Sequence, residues 1–257
     1  KYFLVPNVKN FSWMTVVAAM GQMFYSLSIA MGILITFGSY MKKETSLEDS
    51  TRNVEVFDTA IAIMAGLMII PAVFSFSGGD PDTLQAGPAL MFITIPKVFE
   101  NMGFGTVVGI LFFLLVLFAA VTSSIALTES AVSTFEDELG WSRRRATVLV
   151  GVIMIALGSL SSLGYGPLAG IKIIGMQFLD FFDFLTNSVM MPIAAMLTSL
   201  FVSRIVGMKR MEEEIMHGES TFRRKKIFIV MIKYLCPVFA LIILISSVAN
   251  AFGWIAM

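Results

Sequence analysis

Serine, threonine and aspartate inside otherwise apolar stretches are where this chain can do chemistry, because a polar group in hydrocarbon persists only with a partner. Four clusters stand out. The run GQMFYSLSIAMG (21–32) sets Ser26 and Ser28 in the middle of a long apolar segment. Asp58 opens a second segment, directly after Phe57. Thr122, Ser123 and Ser124 follow Ala119 and Ala120 in a third. Asp180 and Asp183, three residues apart, share one helix face in a fourth, with Asn187 one turn further on.

Each cluster has an ordinary packing explanation and a chemical one. Ser26 and Ser28 can bond back to carbonyls one turn earlier while Gly32 admits a neighbouring helix. Alternatively the helix is interrupted there, and its freed carbonyls hold a cation or an ammonium group at the membrane midplane. Asp58 is either an interfacial charge or a buried carboxylate that holds a cation. Hydroxyls beside small residues are common helix-packing chemistry. Thr122 and Ser123, with the carbonyl of Ala119 one turn back, are also a set of hard oxygen ligands suited to sodium. Asp180 and Asp183 either cap a neighbouring helix or face a water-filled cavity on the outer side. Spacing alone does not decide between these.

The elements that must position these groups follow from composition. Hydrophobic residues make up 57% of the chain and charged residues 14%, against the roughly 25% charge a soluble domain carries, so the chain reads as an integral membrane protein. Acidic and basic residues balance at 18 each, which gives no footprint for nucleic acid. A single cysteine, Cys236, and a single histidine, His217, exclude an internal disulfide and a histidine-rich metal site. Apolar runs at 11–40, 57–76, 101–133, 146–163, 171–203 and 226–252 are each long enough to cross a hydrocarbon core as helices. They do not alternate as barrel strands would. The expected fold is all-α and polytopic.

The connector 77–100 combines Pro81, Pro88 and Pro96 with the apolar run Leu90–Ile93, which predicts a structured surface element. Basic residues gather in alternate connectors: Lys42, Lys43 and Arg52, then Arg143, Arg144 and Arg145, then Arg204, Lys209, Arg210, Arg223, Arg224 and Lys225. Only Lys1, Lys9, Lys97 and Lys172 lie on the other side, so the positive-inside rule places the chain start outside the cell. The opening KYFLVP has no signal-peptide pattern and reads as the tail of an extracellular loop of a longer multi-pass protein of the cell membrane. Glu212–Glu214 and His217 read as solvated, Trp13 and Trp254 as interfacial anchors, and Cys236-Pro237 as a kink.

Four segments, GQMFYSLSIAMGILITFGSY (21–40), FDTAIAIMAGLMIIP (57–71), LFAAVTSSIALTES (117–130) and FEDELGWSRRRA (135–146), resemble the second half of bacterial neurotransmitter:sodium symporters of the LeuT type. The stretch GPALMFITIPKVF (87–99) resembles that family's structured extracellular loop. The resemblance implies helices 6 to 11 of an inverted-repeat transporter, with the first of them discontinuous and helices 1 to 5 absent. Residues 1–203 would then be the second five-helix repeat, and 204–257 a cytoplasmic connector and the last helix.

The resemblance also implies site residues. Ser26 and Asp58 would ligate a first sodium, the acid standing where the family usually has asparagine. A fixed negative charge there, with Ala62 at a position that is serine in animal relatives, implies that chloride is not required. The carbonyl of Ala119 and the hydroxyls of Thr122 and Ser123 would bind a second sodium. Tyr25, Ser26 and Ser28 would take the ammonium group of an amino acid, and Met31, Ser123 and Leu127 would line its pocket, which suits a bulky apolar side chain. Asp180 and Asp183 resemble outer-gate acids, and Tyr40 and Asp137 inner-gate residues. The implied activity is sodium-coupled amino-acid import, with the bilayer and the absent N-terminal half as partners. Two other classes are the alternatives. An intramembrane aspartyl enzyme pairing Asp58 with Asp180 or Asp183 lacks a GxGD motif and any nucleophile–base pair, so no enzymatic activity is expected. A non-transporting helical scaffold is the other alternative.

Overall fold

The computed structural model describes residues 5, 11–76, 87–218 and 221–254. Among these the chain is helical with no named strand; one isolated antiparallel bridge joins Ile173 to Met176. Helix α1 runs Trp13–Ser26 and α2 Ile33–Ser39. Helix α3 is Leu47–Phe76, α4 covers 87–100, and α5 is Gly105–Leu139. Then come α6, Arg143–Leu163; α7, Phe178–Val206; α8, Met208–Ile215; and α9, Lys225–Ala251. Five of these, α3, α5, α6, α7 and α9, are long and apolar enough to cross a membrane. The first apolar run is not one of them. It is broken between Ser26 and Ile33 into helices of 14 and 7 residues, so the interrupted-helix reading holds.

Several boundaries differ from the apolar runs, for physical reasons. Helix α3 starts at Leu47, ten residues before Phe57. The Ser46 hydroxyl accepts the N–H of Asp49 at 3.0 Å, and Glu48 and Asp49 in the first turn complement the helix dipole. A helix outside hydrocarbon needs no apolar residues, so hydropathy did not register this extension. Asp58 consequently lies well inside α3, not at its start. Helix α5 continues to Leu139 and stops at Gly140, whose φ of 64° is the left-handed conformation that closes helices. The run predicted from 171 begins as a tight turn at Ile174 and Gly175 (φ 53° and 80°), and its helix starts at Phe178. The connector 77–100 is helical from Gly87; its part at 77–86 lies outside the described residues.

The chain divides into two compact units. In the first, which includes Asn53–Ile125, α4 packs on the start of α5. Phe92 stacks on Phe113 at 6.0 Å, and Phe99 meets Phe112 edge-on at 5.5 Å. Gly105 permits this approach: a Cβ there would lie 1.7 Å from the Phe99 carbonyl oxygen. In the second unit, Ser12–Arg52 with Ala126 onward, one cluster joins Val17 and Phe24 of α1, Met191 and Ala195 of α7, and Ala240 and Ile243 of α9. A smaller one joins Val132 of α5 to Ala146 and Val150 of α6.

Helices α7 and α9 hold π-helical turns, at Phe184–Met190 and Val202–Val206 in the first and Met231–Leu235 in the second. The last has a legible cause. The N–H of Cys236 reaches the carbonyl of Met231, and Pro237 has no N–H to offer Ile232. Ser199 of α7, 3% exposed, donates its hydroxyl to that Ile232 carbonyl. Lipid-facing helices gain little from hydrophobic burial against one another, so such interhelical bonds carry weight here.

Candidate functional site

The break in the first span is built from an unusual backbone. Ser12 and Thr15 form a capping box at the start of α1, and regular hydrogen bonding ends at Leu27. Ser28 and Ala30 then adopt φ of 54° and 63°, and Gly32 of 81°. Left-handed conformations at two non-glycine residues cost on the order of 1 kcal/mol or more each, and such strain gathers at functional sites. The consequence is chemical. Among the described residues, the carbonyls of Leu27, Ile29, Ala30 and Met31 accept no backbone N–H. Helical bonding resumes only with Thr36 N–H to Gly32 O at 3.0 Å. Tyr25 and Ser26 are exposed at the end of α1, while Ser28 and Met31 are half-buried in the linker. These four predicted residues therefore lie within one short segment of polar backbone, which suits cation and ammonium recognition.

The linker residues Ser28, Ile29, Ala30 and Gly32 also border an apolar cavity of about 400 Å³, whose other walls include Ser199 and Ile232. In its wall Ser199 bonds the Ile232 carbonyl.

The second oxygen set lies in α5. Thr122 Oγ1 donates to the carbonyl of Ala119 at 2.9 Å, so the two oxygens lie side by side. Ala119, Thr122 and Ser123 are exposed, as is Leu127 two turns below Ala120. Asp58 is half-buried on α3. Asp58, Ala119, Thr122 and Ser123 belong to the first unit, and Tyr25, Ser26, Ser28, Met31 and Leu127 to the second.

At the start of α7, Asp180 and Asp183 are both exposed. Asn187 Nδ2 donates to Asp183 Oδ1 at 2.5 Å, so the predicted shared face is real. Asp183 immediately precedes the π turn that carries Asn187. Tyr165, in the loop before α7, has its phenol pKa raised, by desolvation first and then by the Asp180 carboxylate.

Of the predicted inner-gate residues, Tyr40 is engaged and Asp137 is not part of the same network. The Tyr40 hydroxyl donates to Glu129 Oε1 at 2.7 Å. Arg143 forms an ion pair with the other oxygen of Glu129 and a second with Glu136 at 3.2 Å. Asp137 is exposed on α5 beside this group. Sequence reasoning missed Glu129 and Glu136 and read Arg143 only as a topology signal. The available sign was the seven-residue spacing of the two acids, two helical turns on one face, with an arginine just past a helix-ending glycine.

Also missed was a buried hydroxyl group between α2 and α5. Thr36 Oγ1 donates to Ser130 Oγ at 3.4 Å and lies 3.3 Å from Ser133 Oγ.

Comparison with known proteins places this geometry. Residues 1–253 match the profile of the sodium:neurotransmitter symporter family. An uncharacterized sodium-dependent transporter of Bacillus subtilis is 32% identical over 220 residues, covering 86% of this chain and 48% of that protein. An uncharacterized sodium-dependent transporter of Haemophilus influenzae is 31% identical over 96% of this chain and 53% of its own length. The crystal structure of MhsT in complex with L-phenylalanine superposes with a TM-score of 0.80 at 36% identity, over 90% of this chain and 51% of that one. The chain thus spans about half the length of the relatives it matches.

Proposed function

The chain belongs to the sodium:neurotransmitter symporter family, and from that premise we propose that it is part of a sodium-coupled amino-acid symporter working by alternating access. The observation that carries this reading is the broken first span. A helix that gives up hydrogen bonds inside an apolar run, at a cost of several kcal/mol per unsatisfied group in lipid, needs a ligand to compensate. An amino-acid ammonium group and a dehydrated sodium ion are such ligands.

In this reading Ser26 and Asp58 hold one sodium, and Ala119, Thr122 and Ser123 a second. Binding of the second would turn the Thr122 hydroxyl from donor to the Ala119 carbonyl into a co-ligand beside it. Tyr25, Ser26 and Ser28 receive the ammonium group, and Met31, Ser123 and Leu127 the side chain. L-Phenylalanine in the related MhsT structure supports a bulky apolar substrate. The carboxylate of Asp58 supplies a fixed negative charge, so chloride is not needed. Asp180 and Asp183 belong to the outer gate, and Tyr40 and Asp137 to the inner one, where Tyr40 bonds Glu129 and Glu129 pairs with Arg143. Residues 1–203 form the second inverted repeat, with the chain start outside the cell membrane. Sodium favours the outward-open state, and each ligand shifts the equilibrium only by its differential affinity for the states. No covalent step is required, which sets this reading apart from an intramembrane enzyme.

The test is uptake by the full-length protein in proteoliposomes. Radiolabelled L-phenylalanine is expected to accumulate under an inward sodium gradient, with or without chloride, and not under a potassium gradient of the same size. Equal accumulation under both gradients overturns sodium coupling. Uptake of none of the twenty amino acids overturns the substrate class.

A further inference from the structure

The first half of the broken span packs on α7 and α9, and the second half adds a buried polar contact to α5 that begins at Gly32. The buried residues of α1, Val17 and Phe24, pack with Met191, Ala195, Ala240 and Ile243 of α7 and α9. The linker residues Ile29, Ala30 and Met31 pack against that same cluster. From Gly32 onward a polar contact to α5 beyond Ala126 is added, while Leu34 and Ile35 still face α7 and α9 across the cavity. A Cβ at Gly32 would lie 2.5 Å from Ser130 Oγ, so a larger residue there would turn that hydroxyl aside, and the φ of 81° favours glycine. One turn later Thr36, 8% exposed, bonds Ser130, 7% exposed, and meets Ser133. The Ser133 hydroxyl in turn donates to the carbonyl of Ser130 at 3.1 Å.

We propose that Gly32, Thr36, Ser130 and Ser133 form a clasp that keeps α2 fixed to α5, which makes Ser130 a positioning residue for the linker's free carbonyls. The inference deepens the transporter reading and rests on it for its functional consequence. Two buried hydroxyls that separate in an apolar setting each lose a partner, so the clasp resists opening. Motion within the broken span is then confined to the linker 27–31, where the left-handed residues lie, and α2 acts as a fixed wall. Ser130 is not among the residues assigned to substrate or ion. It acts through Gly32, holding the inner end of the segment whose oxygens bind.

The experiment uses the full-length protein in a cysteine-free background. One arm places Thr36→Cys with Ser133→Cys, whose parent oxygens are 3.3 Å apart. The pair is expected to cross-link on oxidation and to retain more than half of the sodium-driven L-phenylalanine uptake. Uptake that is lost on oxidation and restored by reductant means that α2 must leave α5, and overturns the clasp. The second arm measures maleimide labelling of Ser133→Cys in detergent, a position half-buried against Thr36. Thr36→Val and Ser130→Ala are each expected to raise the labelling rate about fivefold, the size of one buried hydrogen bond, with Thr36→Ser unchanged. Unchanged rates in folded Thr36→Val and Ser130→Ala overturn the proposal. If those two variants do not fold, the cross-linking arm decides alone. If the parent protein shows no uptake, the transporter reading fails, and labelling still tests the clasp independently.

Discussion

Thr122 shows how little distinguishes a packing residue from an ion ligand at the scale of single side chains. Its hydroxyl bonds the Ala119 carbonyl at 2.9 Å, an ordinary back-bond within a helix. The same geometry offers two oxygens, one turn apart, to a cation that arrives from outside the helix. The decisive experiment removes the oxygens while keeping the helix. Thr122→Ala and Ser123→Ala are each expected to cut sodium-dependent uptake by the full-length protein at least about tenfold, or about 1.4 kcal/mol, at normal expression. Uptake within twofold of the parent at limiting sodium would remove these residues from the ion site. At Tyr40 the structure added partners that residue types alone did not reveal. Glu129 and Arg143 are 89 and 103 positions away in sequence, and only folding brings the phenol 2.7 Å from the carboxylate. With Arg143 57% exposed, these ion pairs contribute little stability, and their value lies in holding Tyr40 in place.

Among the elements, α7 and α9 carry the clearest physical logic. Pro237 removes a donor, a π turn forms just before it, and Ser199 from the neighbouring helix satisfies the Ile232 carbonyl. Ser199→Ala is therefore expected to destabilise the full-length protein by about 1–2 kcal/mol, read as a lower melting temperature in detergent. Combined with Pro237→Ala, which restores the backbone N–H, the same change is expected to cost much less. Strictly additive losses would separate the hydroxyl from the π turn. Element boundaries were legible where apolar runs coincide with helices, as in α9, predicted at 226–252 and found at Lys225–Ala251. They were illegible where the helix leaves hydrocarbon. The polar first turns of α3 and the end of α5 beyond residue 133 have helix-forming residues and caps but no apolar signature.

For the molecule as a whole, the most informative feature is how little of each span is covered. The most apolar windows of α5 and α3 are 0% and 6% buried, and that of α7 is 17% buried. Lipid can meet part of those faces. It cannot meet the carbonyls of the linker that accept no backbone N–H without leaving polar groups unsatisfied. The residues of the proposed site are thus expected to need further chain. Vesicles holding this 257-residue chain alone should show no sodium-driven L-phenylalanine uptake above empty vesicles, whereas the full-length protein should. Uptake by the 257-residue chain alone would show that its own helices complete the site.

Sequence by itself determined the solvent, the fold class and the chemistry on offer. Charge too scarce to cover a soluble surface requires lipid, and oxygen ligands inside apolar runs require something to bind. It left the state of the first span open, since Ser26, Ser28 and Gly32 fit a continuous helix as well as a broken one. Tertiary structure decided that point: Ser28 and Ala30 take left-handed φ where the linker packs on the cluster of α7 and α9, and surrounding contacts are what hold such strain in place. Contacts across some hundred residues of chain are set by how helices pack, and no local pattern encodes them.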